Sequence, residues 1–217
     1  MPYSQLVLFT KCLVLAEAMA AVTGLITWRK WKDSYLKWVP VYLAAITILE
    51  TGYHIFAWYK QDAVSGALYE IAVSFEILFI TWFFYKTLNN KNRTLAIAGA
   101  AVYIAALIAE QLLLPGHAWY FQSLSYTTGN LFILIYLILF FIELVRSEKI
   151  LVFKKSVVFW IACGLLIFYL GSFPFYGLYN ELSKDLSLFV SIAWIAESLN
   201  YCMYLFFTIG FIWAKVN

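Results

Sequence analysis

The sequence predicts an all-α integral membrane protein: a bundle of seven transmembrane helices, N-terminus outside and C-terminus cytoplasmic. Three observations predict it. Hydrophobic residues make up 64% of the 217-residue chain and charged residues 12%, with a mean hydropathy of +0.81, whereas soluble domains run near a quarter charged. The apolar residues fall into seven continuous runs, each long enough for the roughly 20 residues of a spanning helix. A transmembrane β-barrel would instead alternate apolar and polar side chains over about ten positions. The basic residues are also sorted between alternate loops, as in multi-pass helical proteins.

The first run covers residues 5–28. The start, MPYSQLVLFTK, lacks the basic stretch and the small-residue cleavage site of a signal peptide, so this run is expected to be a retained helix. The second and third cover 38–59 and 65–86. The fourth, 94–114, leads into the loop LPGHAWY, where His117 reads as a solvated loop histidine. The fifth covers 124–146. The sixth, 156–176, contains Gly164 and Gly171, which permit close helix approach. Its Pro174 leaves a carbonyl free one turn earlier and is expected to kink the helix. The seventh, 186–215, is long enough to tilt or to extend past the bilayer. Residues 1–217 thus form one transmembrane domain, and the short loops make consecutive helices antiparallel neighbours. Trp28, Trp38, Trp58, Tyr59, Trp119, Tyr176 and Trp213 lie at run ends, where aromatic side chains anchor a helix at the interface. Cys12, Cys163 and Cys202 lie within apolar runs and show no metal or redox spacing, so they read as packing residues.

The loops set the orientation. Arg29, Lys30, Lys32 and Lys37 lie in the first loop, Lys86, Lys91 and Arg93 in the third, and Arg146, Lys149, Lys154 and Lys155 in the fifth. With Lys215, twelve of the fifteen basic residues fall on one side. Only Lys60 and Lys184 fall on the other, and Lys11 lies within the first run. The basic side is the cytoplasmic one. The basic residues act as topology determinants beside an anionic lipid surface and do not form a nucleic-acid surface.

Seven of the twelve acidic residues lie inside the apolar runs: Glu17, Glu50, Glu70, Glu76, Glu110, Glu143 and Glu197. A charged group at a helix centre costs about 2.5–3.5 kcal/mol on insertion scales, so such groups are expected to face one another or a water-filled cavity. At about 1.5 Å per residue from Trp38, Glu50 lies about 18 Å deep and His54 about 24 Å. Most of these polar groups fall from the midplane outward, above a cytoplasmic half rich in aliphatic and aromatic residues. That distribution predicts a cavity open to the outside and closed below. Glu50 and His54, four apart, share one helix face and form a pair able to exchange a proton. Glu197, Asn200, Tyr201 and Tyr204 share another face. Lys11 is expected to pair with Glu70 or Glu110. The candidate ligand- or proton-binding residues are therefore Glu50, His54, Glu76, Glu197, Asn200, Tyr201, Glu70 and Lys11. The competing reading for each is an interhelical hydrogen bond. That reading leads for Glu17 and Glu110, and Glu143 reads as an interfacial charge in reach of Arg146.

Other chemistries lack their residues. A catalytic zinc site uses two or three histidines, and His117 is in a loop. Covalent retinal needs a lysine in the middle of the last helix, and the lysine of that run is Lys215, at its end. No metal and no retinal cofactor is therefore expected. No GxSxG, P-loop or dinucleotide-binding fingerprint occurs.

The wording FW…G…Y.G.FPF of the sixth run, LN…Y…IGF of the seventh and YEIAVSFEILFITWFFYK of the third resembles a loose group of small, uncharacterised bacterial seven-helix proteins. The resemblance implies a seven-helix fold in a bacterial inner membrane, and similar modules look like sensors beside signalling proteins. The expected function is a receptor-like or sensory membrane protein that binds a small ligand or protons in its outward-facing polar cavity. It would signal through a separate cytoplasmic or membrane partner. A small proton-coupled transporter is the alternative, and a membrane enzyme acting on lipid the third reading.

Overall fold

The computed structural model describes residues 3–113, 123–148 and 152–214. Among them the chain is helical, with seven helices long and apolar enough to cross a membrane. These are α1 (Tyr3–Ile26), α2 (Trp38–Trp58), α3 (Asp62–Thr87), α4 (Asn90–Leu113), α5 (Ser123–Val145), α6 (Val157–Gly177) and α8 (Leu186–Trp213), with a single turn, α7 (Tyr179–Leu182), before the last. The last residues of the predicted runs 94–114 and 186–215, with His117, Trp119, Lys149 and Lys215, lie outside the described residues.

Polar contacts set the helix ends. The Asp185 carboxylate accepts from the N–H groups of Ser187 and Leu188 at 3.0 and 3.1 Å and starts α8. Helices α4 and α5 cap each other. The Glu110 carboxylate, near the end of α4, accepts from the N–H groups of Leu124 and Ser125 at 3.1 and 2.9 Å, in the first turn of α5. Glu143, near the end of α5, accepts from Asn89 N–H at 3.1 Å and Asn92 Nδ2 at 2.6 Å, at the start of α4. A carboxylate at a helix N-terminus both satisfies free N–H groups and meets the positive end of the helix dipole. Glu143 is thus held by α4 rather than by Arg146, and α4 begins earlier than its apolar run because Glu143 bonds the polar stretch Asn89–Asn92. Lys30 donates to the carbonyls of Phe211 and Ile212 at the end of α8, at 3.4 and 3.2 Å. Helix α6 continues through Pro174 to Gly177.

The helices close into a ring. Each of α1 to α6 packs on its sequence neighbour, α6 packs on α8, and α8 packs back on α1. Helix α3 also touches α5 directly, which places α4 outside the inner ring. Two glycines make the close approaches possible. A Cβ on Gly164 would lie 2.9 Å from the Met203 carbonyl oxygen of α8, and one on Gly129 would lie 2.8 Å from the Ile77 side chain of α3. Without a hydrophobic drive between helices in lipid, such contact is what holds neighbours together.

The end of the ring carrying Arg29 to Lys37, Lys86 to Arg93 and Arg146 to Lys155, called the basic end below, is filled with buried apolar side chains. Leu43, Ile80, Phe83, Phe84, Leu88, Tyr136 and Phe211 are each 3% exposed or less.

Candidate functional site

Above that plug, four carboxyls converge from four helices: Glu17 on α1, Glu50 on α2, Glu76 on α3 and Glu197 on α8. Glu17 and Glu50 each lie within electrostatic reach of the other three. Glu17 is fully buried. Its Oε1 accepts a 2.6 Å hydrogen bond from the Tyr204 hydroxyl of α8. Glu50 also stands within hydrogen-bonding reach of Glu17. An ionised carboxylate only accepts, so contact between the two carboxyls is attractive only with a proton between them. Glu76 Oε1 accepts from the Tyr169 hydroxyl of α6 at 2.9 Å. The Thr10 hydroxyl of α1 is within hydrogen-bonding reach of Glu197.

Tyrosines surround this group. Tyr42, Tyr69, Tyr126, Tyr169, Tyr176 and Tyr204, from α2, α3, α5, α6 and α8, all lie within electrostatic reach of Glu76. The rings of Tyr126 and Tyr176 pack with centroids 4.7 Å apart and planes tilted by 41°. Glu50 and Glu76 are enclosed by the bundle, yet each keeps part of its surface uncovered. Around them Glu17, Tyr42, Tyr126, Tyr169 and Tyr204 are buried.

The hydrogen bonding is incomplete. Among the described residues, Glu17 Oε2, Glu197 Oε2, Asn200 Oδ1 and both polar atoms of Asn130 are buried and have no hydrogen-bond partner. Buried polar groups are usually paired, and each exception calls for a reason. No Lys, Arg or His forms an ion pair with the four carboxyls; the one ion pair among the described residues is Lys184 with Glu181, at 2.7 Å.

The candidates named from sequence fall into two places. Glu50, Glu76, Glu197 and Asn200 belong to the carboxyl layer or its edge. Tyr201 lies beside it on α8, donating to the Phe9 carbonyl of α1 at 2.8 Å, with its ring 4.6 Å from that of Phe9. His54 and Lys11 lie elsewhere. The charged neighbour of His54 is Lys11, its ring sits 4.9 Å from that of Tyr53, and the Lys11 ammonium stands 5.4 Å over the exposed Trp58 ring. Glu50 therefore stands by Glu17, while His54 lies within electrostatic reach of Lys11. Lys11 does not pair with Glu110, whose carboxylate caps α5, and Glu70 is an exposed residue of α3.

Glu17, read from sequence first as an interhelical hydrogen bond, makes that bond with Tyr204 but is also the most buried of the four carboxyls; the polar residue marking its face, Thr10, lies two turns away. Asn130 and the tyrosines other than Tyr201 are outside the candidate set. Tyrosine in an apolar run reads as packing, because its ring is apolar and its hydroxyl partner lies on another helix.

The chain matches no family model, no curated protein and no solved structure. Among the described residues, no group of three or more His, Cys, Asp and Glu side chains is placed to hold a metal ion.

Proposed function

We propose that the chain is a receptor-like or sensory membrane protein of the multi-pass kind. Its carboxyl layer is reached from the outside and binds a small ligand or protons, and a shift in helix packing carries the signal to a separate partner at the basic, cytoplasmic end. The observation that carries this reading is the gathering of Glu17, Glu50, Glu76 and Glu197 from four helices in one tyrosine-rich layer. Ionisable groups inside a membrane mark functional sites by default. The plug of Phe83, Phe84, Tyr136 and Phe211 beneath that layer favours a sensor over a carrier, since a carrier must also open at that end.

The test has two parts. Impermeant thiol reagents on intact cells should label a cysteine introduced at Lys184 and spare one introduced at Lys91, with native cysteines replaced; the reverse pattern refutes the orientation. Purified protein should gain thermal stability from its ligand while proteoliposomes show no flux of it. Flux abolished by Glu50→Gln would establish the carrier reading instead.

A further inference from the structure

Helices α5 and α6 leave a groove between them at the basic end. Its volume is about 500 Å³, and Ile138, Phe141, Ile142, Val145, Arg146 and Leu166 line it. We propose that this groove binds one anionic phospholipid, with an acyl chain along its apolar wall and the phosphate on the Arg146 guanidinium. The inference rests on the chain spanning a membrane and is independent of the carboxyl layer.

Three observations support this occupant. First, the groove is sorted by height. Ile138, Ile142 and Val145 lie at i, i+4 and i+7 and share one face of α5, and this stripe runs roughly 10 Å along the axis before Arg146 ends it. The site is apolar along its length and cationic at one end, which is the polarity of an amphiphile with its head at the interface. It is also open sideways to acyl chains, since Ile138 is 56% exposed and Val145 66%.

Second, the charge of Arg146 is free for a ligand. Glu143, three residues earlier, is engaged by Asn89 and Asn92 of α4 at 3.1 and 2.6 Å. Arg146 is exposed and forms no ion pair among the described residues, with Glu148 or any other carboxylate. A guanidinium matches a phosphate with two parallel N–H donors. Third, more positive charge lies at the same end. The Phe141 ring stands 6.3 Å from that of Phe159 on α6, and Phe159 stands 4.6 Å from Phe153. Phe153 opens the short turn that carries Lys154 and Lys155, both exposed. Basic pockets between helices on the cytoplasmic side are places where anionic head groups bind.

Competing occupants fit less well. A second copy docked by a twofold axis through the groove would set Arg146 near its own copy, with no carboxylate in the lining to separate the two. A zwitterionic lipid fills the apolar wall equally but brings its own cation to Arg146 and the lysines. A soluble ligand would need polar partners along the groove, and the side chains above Arg146 offer none.

The experiment titrates the full chain in detergent micelles with phosphatidylglycerol and with phosphatidylcholine of the same acyl chains, and counts bound lipid by native mass spectrometry. Phosphatidylglycerol should bind at roughly fivefold lower concentration, the factor for about one basic residue at an anionic surface. Arg146→Gln should remove most of that preference, while Lys32→Gln, an equal loss of charge in the first loop, leaves it in place. Ile142→Trp fills the groove from an exposed position, keeps every charge and should weaken both lipids. Glycerol 3-phosphate, a phosphate head without chains, should not bind. Helix content and the unfolding midpoint show whether each variant is folded. In the unaltered chain, phosphatidylglycerol with a diazirine on one acyl chain should label peptides of α5 and α6. Equal binding of the two lipids overturns the proposal. So does an equal effect of Lys32→Gln and Arg146→Gln, which would make the attraction a property of the whole basic end. Binding that survives Ile142→Trp, or labels spread over all seven helices, also overturns it. A dimer that Ile142→Trp disperses, with no bound lipid, assigns the groove to a second copy instead.

Discussion

Glu17→Gln should make the ligand-free protein more stable, although it removes an acidic residue from the centre of the site. Glutamine keeps the shape and the oxygen that accepts from Tyr204 at 2.6 Å. It also puts an N–H at the fully buried Oε2 position, a donor that Glu50, within hydrogen-bonding reach of Glu17, can accept without a proton shared between two carboxyls. A net hydrogen bond contributes about 0.5–1.5 kcal/mol, and an unsatisfied buried group costs about 1–3 kcal/mol. Interhelical hydrogen bonds in membranes average about 0.6 kcal/mol and reach about 1.7, so the gain should be about 1 kcal/mol. At this chain length that corresponds to about 2–4 °C in Tm. The assay is reversible denaturant unfolding in mixed micelles, read by circular dichroism and repeated in a Tyr204→Phe background. There the Tyr204 bond is gone and the gain should persist, since it comes from the Glu50 side. A loss of more than about 1 kcal/mol would refute the reasoning, because it would mean that Glu17 already has a donor.

Other variants probe the frame. Gly164→Leu should destabilise by about 1–3 kcal/mol through overpacking against the Met203 carbonyl, seen as a lower unfolding midpoint. Gly66→Ala should stabilise by about 0.5–1 kcal/mol, since an added Cβ there meets nothing within 4 Å. Glu110→Ala should cost about 0.5–2 kcal/mol through the lost cap, with amide exchange faster in the first turn of α5. Tyr169→Phe should cost about 0.6–1.7 kcal/mol by freeing Glu76 and should leave helix content unchanged.

Helix number and extent were legible because span length is fixed by the bilayer and every span is apolar over that length. Predicted 38–59 is observed as Trp38–Trp58 and predicted 124–146 as Ser123–Val145. The larger differences lie at starts such as Asp62 and Asn90, where polar residues extend a helix beyond its apolar run. The candidate site was legible only to the level of residue type and depth. Inside a helix, spacing placed Glu50 and His54 on one face, yet one turn of rise separates them and each has a different neighbour on α1: Glu17 for the first, Lys11 for the second. Which residues of α1 they meet depends on the register of α1 against α2, set by contacts such as Gly24 on Pro40 that no pattern within one run encodes. The α4 and α5 caps were hidden for the same reason. Glu110 and Glu143 look like stray membrane charges until the partner helix is beside them.

Those two caps have a consequence for how the chain assembles. Helices α4 and α5 are clipped at both ends by side chains of their own hairpin, so the pair is a self-contained module that can form before the circle of helices is complete. This module docks on α3 through both its helices, with the Tyr103 hydroxyl of α4 bonding Ser74 at 3.3 Å, and on α6 through α5. A protein expressed as two fragments, divided ahead of Asn89, should therefore reunite around an intact hairpin, whereas a division between the two helices separates both clasps at once.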